Sequence, residues 1–384
     1  MRFRKFGKLD WPPSALGFGC MRLPTRDGKP FSGEVIEDES IRIIRLGIDR
    51  GVNYVDSAYG YHNGNSELVL GKALLDGYRQ KVMLATKSPV WAIKQAEDFD
   101  RCLGEQLKKL QTDHIDFYLF HGLGAKRWHD VVLKFDLLRR AEAAKQDGRI
   151  GHIGFSFHDQ YDAFQEIVDG YDQWEFCQIQ YNYLDIENQA GTKGLQYAAS
   201  KGLAVVVMEP LMGGKLARPP AQVQQIFDNF EPKRTPADWA LQWVWNQPEV
   251  SLLLSGMSSA RQVEENLASA ERSAVNSLDA EALRLFQDVR QAYKDLTPIP
   301  CTQCGYCMPC PSGVDIPTNL EAYNNAMVHN DLHSARFFYQ RFVAEGARAS
   351  ACTQCQECDP KCTQGIIISE WMPKVDALLG AKTA

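Results

Sequence analysis

A short apolar run, a turn and an amphipathic helical pattern recur eight times over about the first 290 residues of this 384-residue chain. The runs are Leu16 to Met21, Asn53 to Asp56, Val82 to Lys87, Ile115 to His121, His152 to Ser156, Phe176 to Tyr181, Ala204 to Glu209 and Leu252 to Gly256. They are apolar throughout rather than alternating, the pattern of parallel strands covered on both faces. Helical periodicity fills the gaps, at 38–49, 98–110, 131–146 and 235–246 among others. Thr235 before Pro236 has the form of an N-cap with proline in the first turn. Eight such units predict an α/β fold, a closed (β/α)8 TIM barrel. A doubly wound sheet would use fewer strands and announce a glycine-rich phosphate loop, and no GxGxxG or GxxxxGK occurs. The segment from Phe3 to Pro12, carrying Phe6, Leu9 and Trp11, predicts a small hairpin closing the barrel floor.

After Asp295 the texture changes, which places a boundary between a barrel at 1–295 and a small cysteine-rich, mainly helical domain at 296–384. That domain has a helical middle at 319–344 and a tail, IIISEWMPKVDALL, that predicts a strand-like run and a docking helix. Eight of the eleven cysteines lie here, as CTQCGYCMPCP (Cys301, Cys304, Cys307, Cys310) and CTQCQECDPKC (Cys352, Cys355, Cys358, Cys362). Thiolates spaced by two residues, with a fourth close behind, are how a chain wraps a cubane iron–sulfur cluster. Two such groups predict two [4Fe–4S] clusters and a chain that handles electrons. The competing readings are structural zinc, against which the CxxCxxC runs argue, and clusters that serve only as staples.

Cys20, Cys102 and Cys177 are scattered singly with no disulfide framework, which with the thiolate ligands points to a reducing, cytoplasmic compartment. The net charge of −6 and the lack of a Lys/Arg-rich stripe argue against nucleic acid as a partner. The N-terminus, MRFRKFGKLDWPP, has no apolar stretch behind its basic residues, so no signal peptide is expected. Leu203 to Met208, the longest buried-looking run, is too short to span a bilayer, so no membrane partner is expected.

In a barrel of this kind chemistry sits at the C-terminal ends of the strands. Polar residues end the apolar runs one after another: Asp56, Lys87 and His121 on strands two to four, then Ser156, Gln178 and Glu209 on strands five to seven. Singly, each has an ordinary explanation as a turn cap, a snorkelling lysine or a satisfied core histidine. Together they point into one mouth. Tyr61, five residues after Asp56 in YGYHNGNSE, adds an acid. A phenol is too weak an acid unless its anion is stabilised, which a nearby Lys87 ammonium held by Asp56 can do. Tyr61 would then protonate a developing alkoxide while His121 donates to the carbonyl oxygen, the chemistry of carbonyl reduction by a hydride donor.

These residues resemble the aldo/keto reductases: VDSAYGYHNGNSE matches their Asp…Tyr segment, LATK the lysine segment and DFYLFHG the histidine segment, in order and at strand ends. LGFGCM, CQIQYN and SGMSSARQVEEN are also similar to that family. The resemblance implies NADP(H) or NAD(H), a carbonyl or alcohol substrate, and Asp56, Tyr61, Lys87 and His121 as the catalytic set. It implies Gln178 and Ser156 at the nicotinamide, and Ser258, Gln262, Glu265 and Asn266 at the adenosine end; Ser259 reads equally as a helix cap. Met208 stands where an aromatic ring often lies against the nicotinamide, followed by acidic Glu209. Phe157 and His158 follow Ser156 in place of the usual asparagine. Gln262 and Gly256 replace the arginine and lysine of NADPH-specific members, so the choice of dinucleotide stays open, with Arg261 or Lys215 able to compensate.

The whole chain is similar to the branch of the family with a fused ferredoxin-type domain. In two-cluster bacterial ferredoxins the fourth cysteine of each run serves the other run's cluster. Carried over, Cys362 joins Cys301, Cys304 and Cys307, and Cys310 joins Cys352, Cys355 and Cys358. Nicotinamide moves electrons in pairs and a cluster moves one, so a flavin is a further candidate cofactor, with Met208 and Phe157 departing where it would need room. The leading reading is a carbonyl/alcohol oxidoreductase whose clusters relay electrons to or from the barrel, with a ferredoxin or flavodoxin-like partner. The alternative is an electron-transfer module with no small carbonyl substrate. A non-enzymatic scaffold or channel-subunit-like sensor shares the barrel but gives no reason for eight ligand cysteines.

Overall fold

The computed structural model describes residues 1–28 and 32–381, so the last three residues of the 296–384 segment lie outside it. The described chain forms two compact units: Met1–Ala217 with Arg234–Glu281, and Arg218–Lys233 with the residues from Ala282 onward.

The first unit is a closed barrel of eight strands in sequence order. They are β1 (Leu16–Gly19), β2 (Tyr54–Asp56), β3 (Met83–Ser88), β4 (Ile115–Leu123), β5 (Ile150–Phe157), β6 (Phe176–Gln180), β7 (Ala204–Met208) and β8 (Val250–Ser255). Every pairing is parallel, and β8 returns to β1 through Leu16 opposite Leu253. The strands are buried almost from end to end, which is why their sequences run apolar instead of alternating. Helices α1 (Glu37–Asp49), α2 (Asn65–Ala73) and α3 (Asp98–Leu110) follow the first three strands. Thr235 caps the helix Pro236–Trp245 by accepting from the Asp238 N–H.

The N-terminal hairpin pairs Phe3 with Ser14 and Phe6 with Leu9. Phe6 is fully buried, its ring 5.0 Å from Phe117 and 5.9 Å from Phe176 at the barrel floor. Its turn needs Gly7, at φ +54°, because a Cβ there would lie 2.6 Å from the Ala204 nitrogen.

Two expectations on local structure require correction. The helix expected over 131–146 is broken: a π-helical turn at Trp128–Leu133 gives way at Asp136, with φ +50°, to a regular helix at Leu137–Gln146. Periodicity continues through the break because both pieces keep an apolar face. The strand-like run at 366–368 is not a strand; Ile366 and Ile368 are buried but have no ladder partner, and a helix starts at Ile368.

In the second unit the helical middle is two helices, Ile316–His329 and Leu332–Phe342, separated at Asn330 and restarted by the Asp331 cap. Ile299, Val314, Leu320, Met372 and Val375 form its core, with cysteines of both runs packed against it.

Candidate active site and cysteine cages

Asp56 ends β2, and Lys87 and His121 lie just inside the ends of β3 and β4. Parallel pairing, with Asp56 opposite Ala85 and Lys87 opposite Leu119, brings all three to the C-terminal end of the barrel. Lys87 is fully buried, and its Nζ donates to Asp56 Oδ1 at 2.6 Å, Asp56 Oδ2 at 2.7 Å and the Ser57 carbonyl at 2.7 Å. An ammonium has three N–H groups, and here three acceptors surround it. Tyr61 enters from the turn after β2, where His62 and Asn63 take left-handed conformations. The Tyr61 ring lies 5.0 Å from Lys87 Nζ and packs edge-on to His121, centroids 5.8 Å apart. The four residues predicted from sequence therefore meet in one place. Trp91, half exposed, brings its ring to 4.8 Å from that of His121.

The electrostatics differ from expectation in one respect. Burial works against the Lys87 charge, but Asp56 and Tyr61 more than offset it and hold the pKa above 10.5. Burial also dominates at Tyr61, raising the phenol above 10 with help from Asp56 and Glu209, while Lys87 pulls it down. The ammonium thus opposes, but does not overturn, the desolvation of the phenolate. His121 is pushed well below 6.5, first by burial and then by the charges of Lys87, His158 and Arg127. Its ring is therefore neutral, and its buried Nδ1 has no hydrogen-bond partner.

On the adjoining strands, Ser156 Oγ accepts from the Gly122 N–H at 2.7 Å, and Gln178 Nε2 donates to Met208 Sδ at 3.4 Å. Gln178 Oε1 is buried and without a partner, an acceptor awaiting a donor such as a carboxamide N–H. After β8, Ser258 donates from its N and Oγ to Gln262 Oε1 at 2.8 and 3.1 Å, and Ser259 caps the helix Ala260–Glu271. Asn266 Nδ2 donates to Ser255 Oγ at 2.9 Å. Glu265 stands apart from these, paired with Arg261 at 2.7 Å on the exposed side.

Sequence reasoning missed Arg22. It pairs with Glu209 at 3.9 Å, and a Cβ at Gly213 or Gly256 would come within 2.6 or 3.1 Å of its side chain. Glu209 itself has φ +55°. The signal in the sequence was slight: one basic residue at the end of the short turn that follows β1.

In the second unit the eight cysteines surround two cavities. One is lined by Cys301, Cys304, Cys307 and Cys362. The other is lined by Cys310, Cys352, Cys355 and Cys358, and Cys307 lines it as well. Each cavity thus takes its fourth cysteine from the other run. Among the described residues no three His, Cys, Asp or Glu side chains converge on a single metal ion. The cysteines line the two cavities in groups of the kind that a cube of iron and sulfide takes as ligands.

Residues 15–285 match the aldo/keto reductase family. The chain belongs to that family. Residues 300–368 match the 4Fe-4S dicluster domain, so this is an aldo/keto reductase carrying an iron–sulfur domain at its C-terminal side. L-galactose dehydrogenase of Arabidopsis thaliana is 27% identical over 77% of this chain and 97% of its own length. The NADH-specific methylglyoxal reductase of Escherichia coli is 26% identical over 72% of this chain and 94% of its own. The aldo-keto reductase AKR11C1 from Bacillus halodurans, in its holo form, superimposes with a TM-score of 0.61 at 26% identity, covering 75% of this chain and 96% of that one. This aldo/keto reductase is an oxidoreductase, and none of its described helices is long and apolar enough to cross a membrane.

Proposed function

We propose that this aldo/keto reductase interconverts a small aldehyde or ketone and its alcohol with NAD(P)H, and that two [4Fe–4S] clusters link the reaction to a one-electron carrier. The observation that carries the reading is the fully buried Lys87 ammonium, clamped by Asp56 beside the Tyr61 and His121 rings. A buried charge is costly unless its partners are used, and this one stabilises the anion left when the phenol gives up its proton. When bound, nicotinamide supplies a hydride and each cluster passes single electrons; the rest falls to the chain.

Tyr61 gives its proton to the alkoxide, Lys87 steadies the phenolate and Asp56 holds Lys87 charged and oriented. Neutral His121 has one N–H to offer the carbonyl oxygen. Gln178 Oε1 would accept from the carboxamide, with Ser156 and Met208 beside it, while Ser258, Gln262 and Asn266 would hold the adenosine end. The names of the relatives, one acting on methylglyoxal with NADH and one on L-galactose, support a small oxygenated substrate. Exposed thiolate ligands, Cys304 and Cys355 among them, suit a reducing, cytoplasmic setting.

The test is anaerobic purification followed by metal, sulfide and cofactor analysis and a carbonyl panel. About eight irons and eight acid-labile sulfides per chain are expected, with no stoichiometric zinc, and NAD(P)H oxidation dependent on a carbonyl. A bound flavin and turnover without any carbonyl would replace this reading with that of an electron-transfer module.

The site also sets a pH profile. Reduction needs Tyr61 protonated, and its pKa lies above 10; it needs His121 neutral, and that pKa lies well below 6.5. Carbonyl reduction at saturating cofactor should therefore be flat between pH 6.5 and 10, a range readable from kcat/KM. A sharp limb inside that range would remove one of the two assignments.

A further inference from the structure

Behind the Asp56–Lys87 pair lies a second polar cluster that the reaction as described does not use. Glu67, on α2, is a fully buried carboxylate. Its Oε1 accepts from Thr86 Oγ1 at 2.7 Å and from Gln106 Nε2 at 2.6 Å, and its Oε2 lies 3.4 Å from Lys109 Nζ. Gln106, on α3, also donates to the backbone carbonyl of Lys87 at 3.1 Å, and its own Oε1 accepts from Tyr118 at 2.8 Å. The residue before Glu67 reaches the other end of the same lysine. Ser66 Oγ donates to the Cys20 carbonyl at 2.9 Å and lies 2.9 Å from Ser57 Oγ. With the Ser66 proton given to Cys20, Ser57 is the donor of that pair. Ser57 in turn offers its carbonyl to Lys87 Nζ.

We propose that Ser66 and Glu67, successive residues at the start of α2, are positioning residues that fix Lys87 at both ends: Glu67 through Thr86 and Gln106 at the backbone, Ser66 through Ser57 at the ammonium. A lysine side chain has four rotatable bonds and a strong preference for water. Holding its Nζ within hydrogen-bond reach of all three acceptors requires the strand carrying it, and the turn carrying the Ser57 carbonyl, to stay in register. β2 and β3 alone do not ensure this, because β2 is three residues long. The start of α2 adds a buried tie to each. Burying a carboxylate for packing alone is expensive. Here every acceptor contact it makes leads to β3 or α3.

The role in turnover rests on the proposed carbonyl reaction, but the positioning claim has a readout of its own. Lysine-selective ¹⁵N NMR of the holoprotein reports hydrogen exchange from the Lys87 ammonium, its signal assigned by its loss in Lys87→Met. Exchange should be slow in the wild type and faster by at least about tenfold in Ser66→Ala and in Glu67→Gln, since each loosens the enclosure. In the same variants kcat should fall, up to about 10²-fold for a misplaced group, with KM for both substrates unchanged. Leu70→Ala is the control: Leu70 is fully buried on the same helix and makes none of these bonds. It should lower the melting temperature and leave Lys87 exchange slow. Unchanged exchange in Ser66→Ala overturns the proposal, as does equal acceleration in Leu70→Ala. Should Glu67→Gln not fold, Ser66→Ala, which deletes one oxygen, decides alone. A wild type that turns over no carbonyl removes the functional reading, while the exchange rates still judge the positioning one.

Discussion

Replacing Tyr61 with phenylalanine should lower carbonyl turnover about 10²–10⁴-fold, the range for a lost general acid, while leaving the fold intact. The change deletes one hydroxyl and keeps the ring that packs against His121 at 5.8 Å. Dinucleotide binding should survive, because Gln178, Ser258 and Asn266, the residues proposed above to hold it, bond to Met208, Gln262 and Ser255 and not to Tyr61. Lys87→Met should be at least as severe for rate and harsher for stability. It removes the attraction that opposes desolvation of the Tyr61 phenolate, and it leaves the Asp56 carboxylate buried with no cation. Asp56→Asn should act more mildly, through lost orientation of Lys87. Turnover of Tyr61→Phe measured side by side with NAD(P)H and with dithionite as reductant locates the chemistry. Loss of both places substrate reduction at Tyr61. Full retention of both would make the four residues a family relic and favour an electron-transfer role.

The difference between what the sequence discloses and what it withholds follows from the range of the interactions. All eight strands can be read because parallel strands buried on two faces leave uninterrupted apolar runs, and LATK or DFYLFHG show where a run ends in a polar residue. The convergence of Asp56, Lys87 and His121 follows from register once the barrel closes, with no tertiary detail needed. Asp136 at φ +50° could not be read that way: the π-helical turn at Trp128–Leu133 and the left-handed angle that ends it lie inside a pattern that stays amphipathic. The run at 366–368 misleads because three consecutive isoleucines signal a strand only if another strand is there to pair, and among the described residues none does. Desolvation at Tyr61 was invisible because it depends on what packs around the ring from other parts of the chain, His121 among them, whereas the Lys87 charge could be placed from strand position alone. Arg22 escaped because its partners, Glu209, Gly213 and Gly256, lie far along the chain, on the segments that follow β7 and β8.

The cysteine region tests the same logic with an outcome that chemistry can read directly. Cys362→Ser should remove the ligand that closes the cavity lined by Cys301, Cys304 and Cys307, although Cys362 lies next in sequence to the other group. Serine oxygen is a poor soft ligand for iron, so iron should fall from about eight toward four per chain. Which four are lost is decided by alkylation under anaerobic conditions followed by peptide mapping. With ligands exchanged between the runs, Cys301, Cys304 and Cys307 become reactive while Cys310, Cys352, Cys355 and Cys358 stay protected. Cys310→Ser should give the mirror image, exposing Cys352, Cys355 and Cys358. If Cys362→Ser instead exposes the thiols of its own run, the two runs each close their own cluster. The cavity linings argue against that: Cys362 lines the cavity of the first group and Cys310 that of the second, so clusters ligated in this way would tie together chain segments roughly forty to sixty residues apart. Such cross-ties matter in a unit this size, whose own apolar core is small and is completed by the cysteines themselves. Loss of either cluster should therefore loosen the whole iron–sulfur unit, visible as raised protease sensitivity within 296–381, while Met1–Ala217 keeps its resistance.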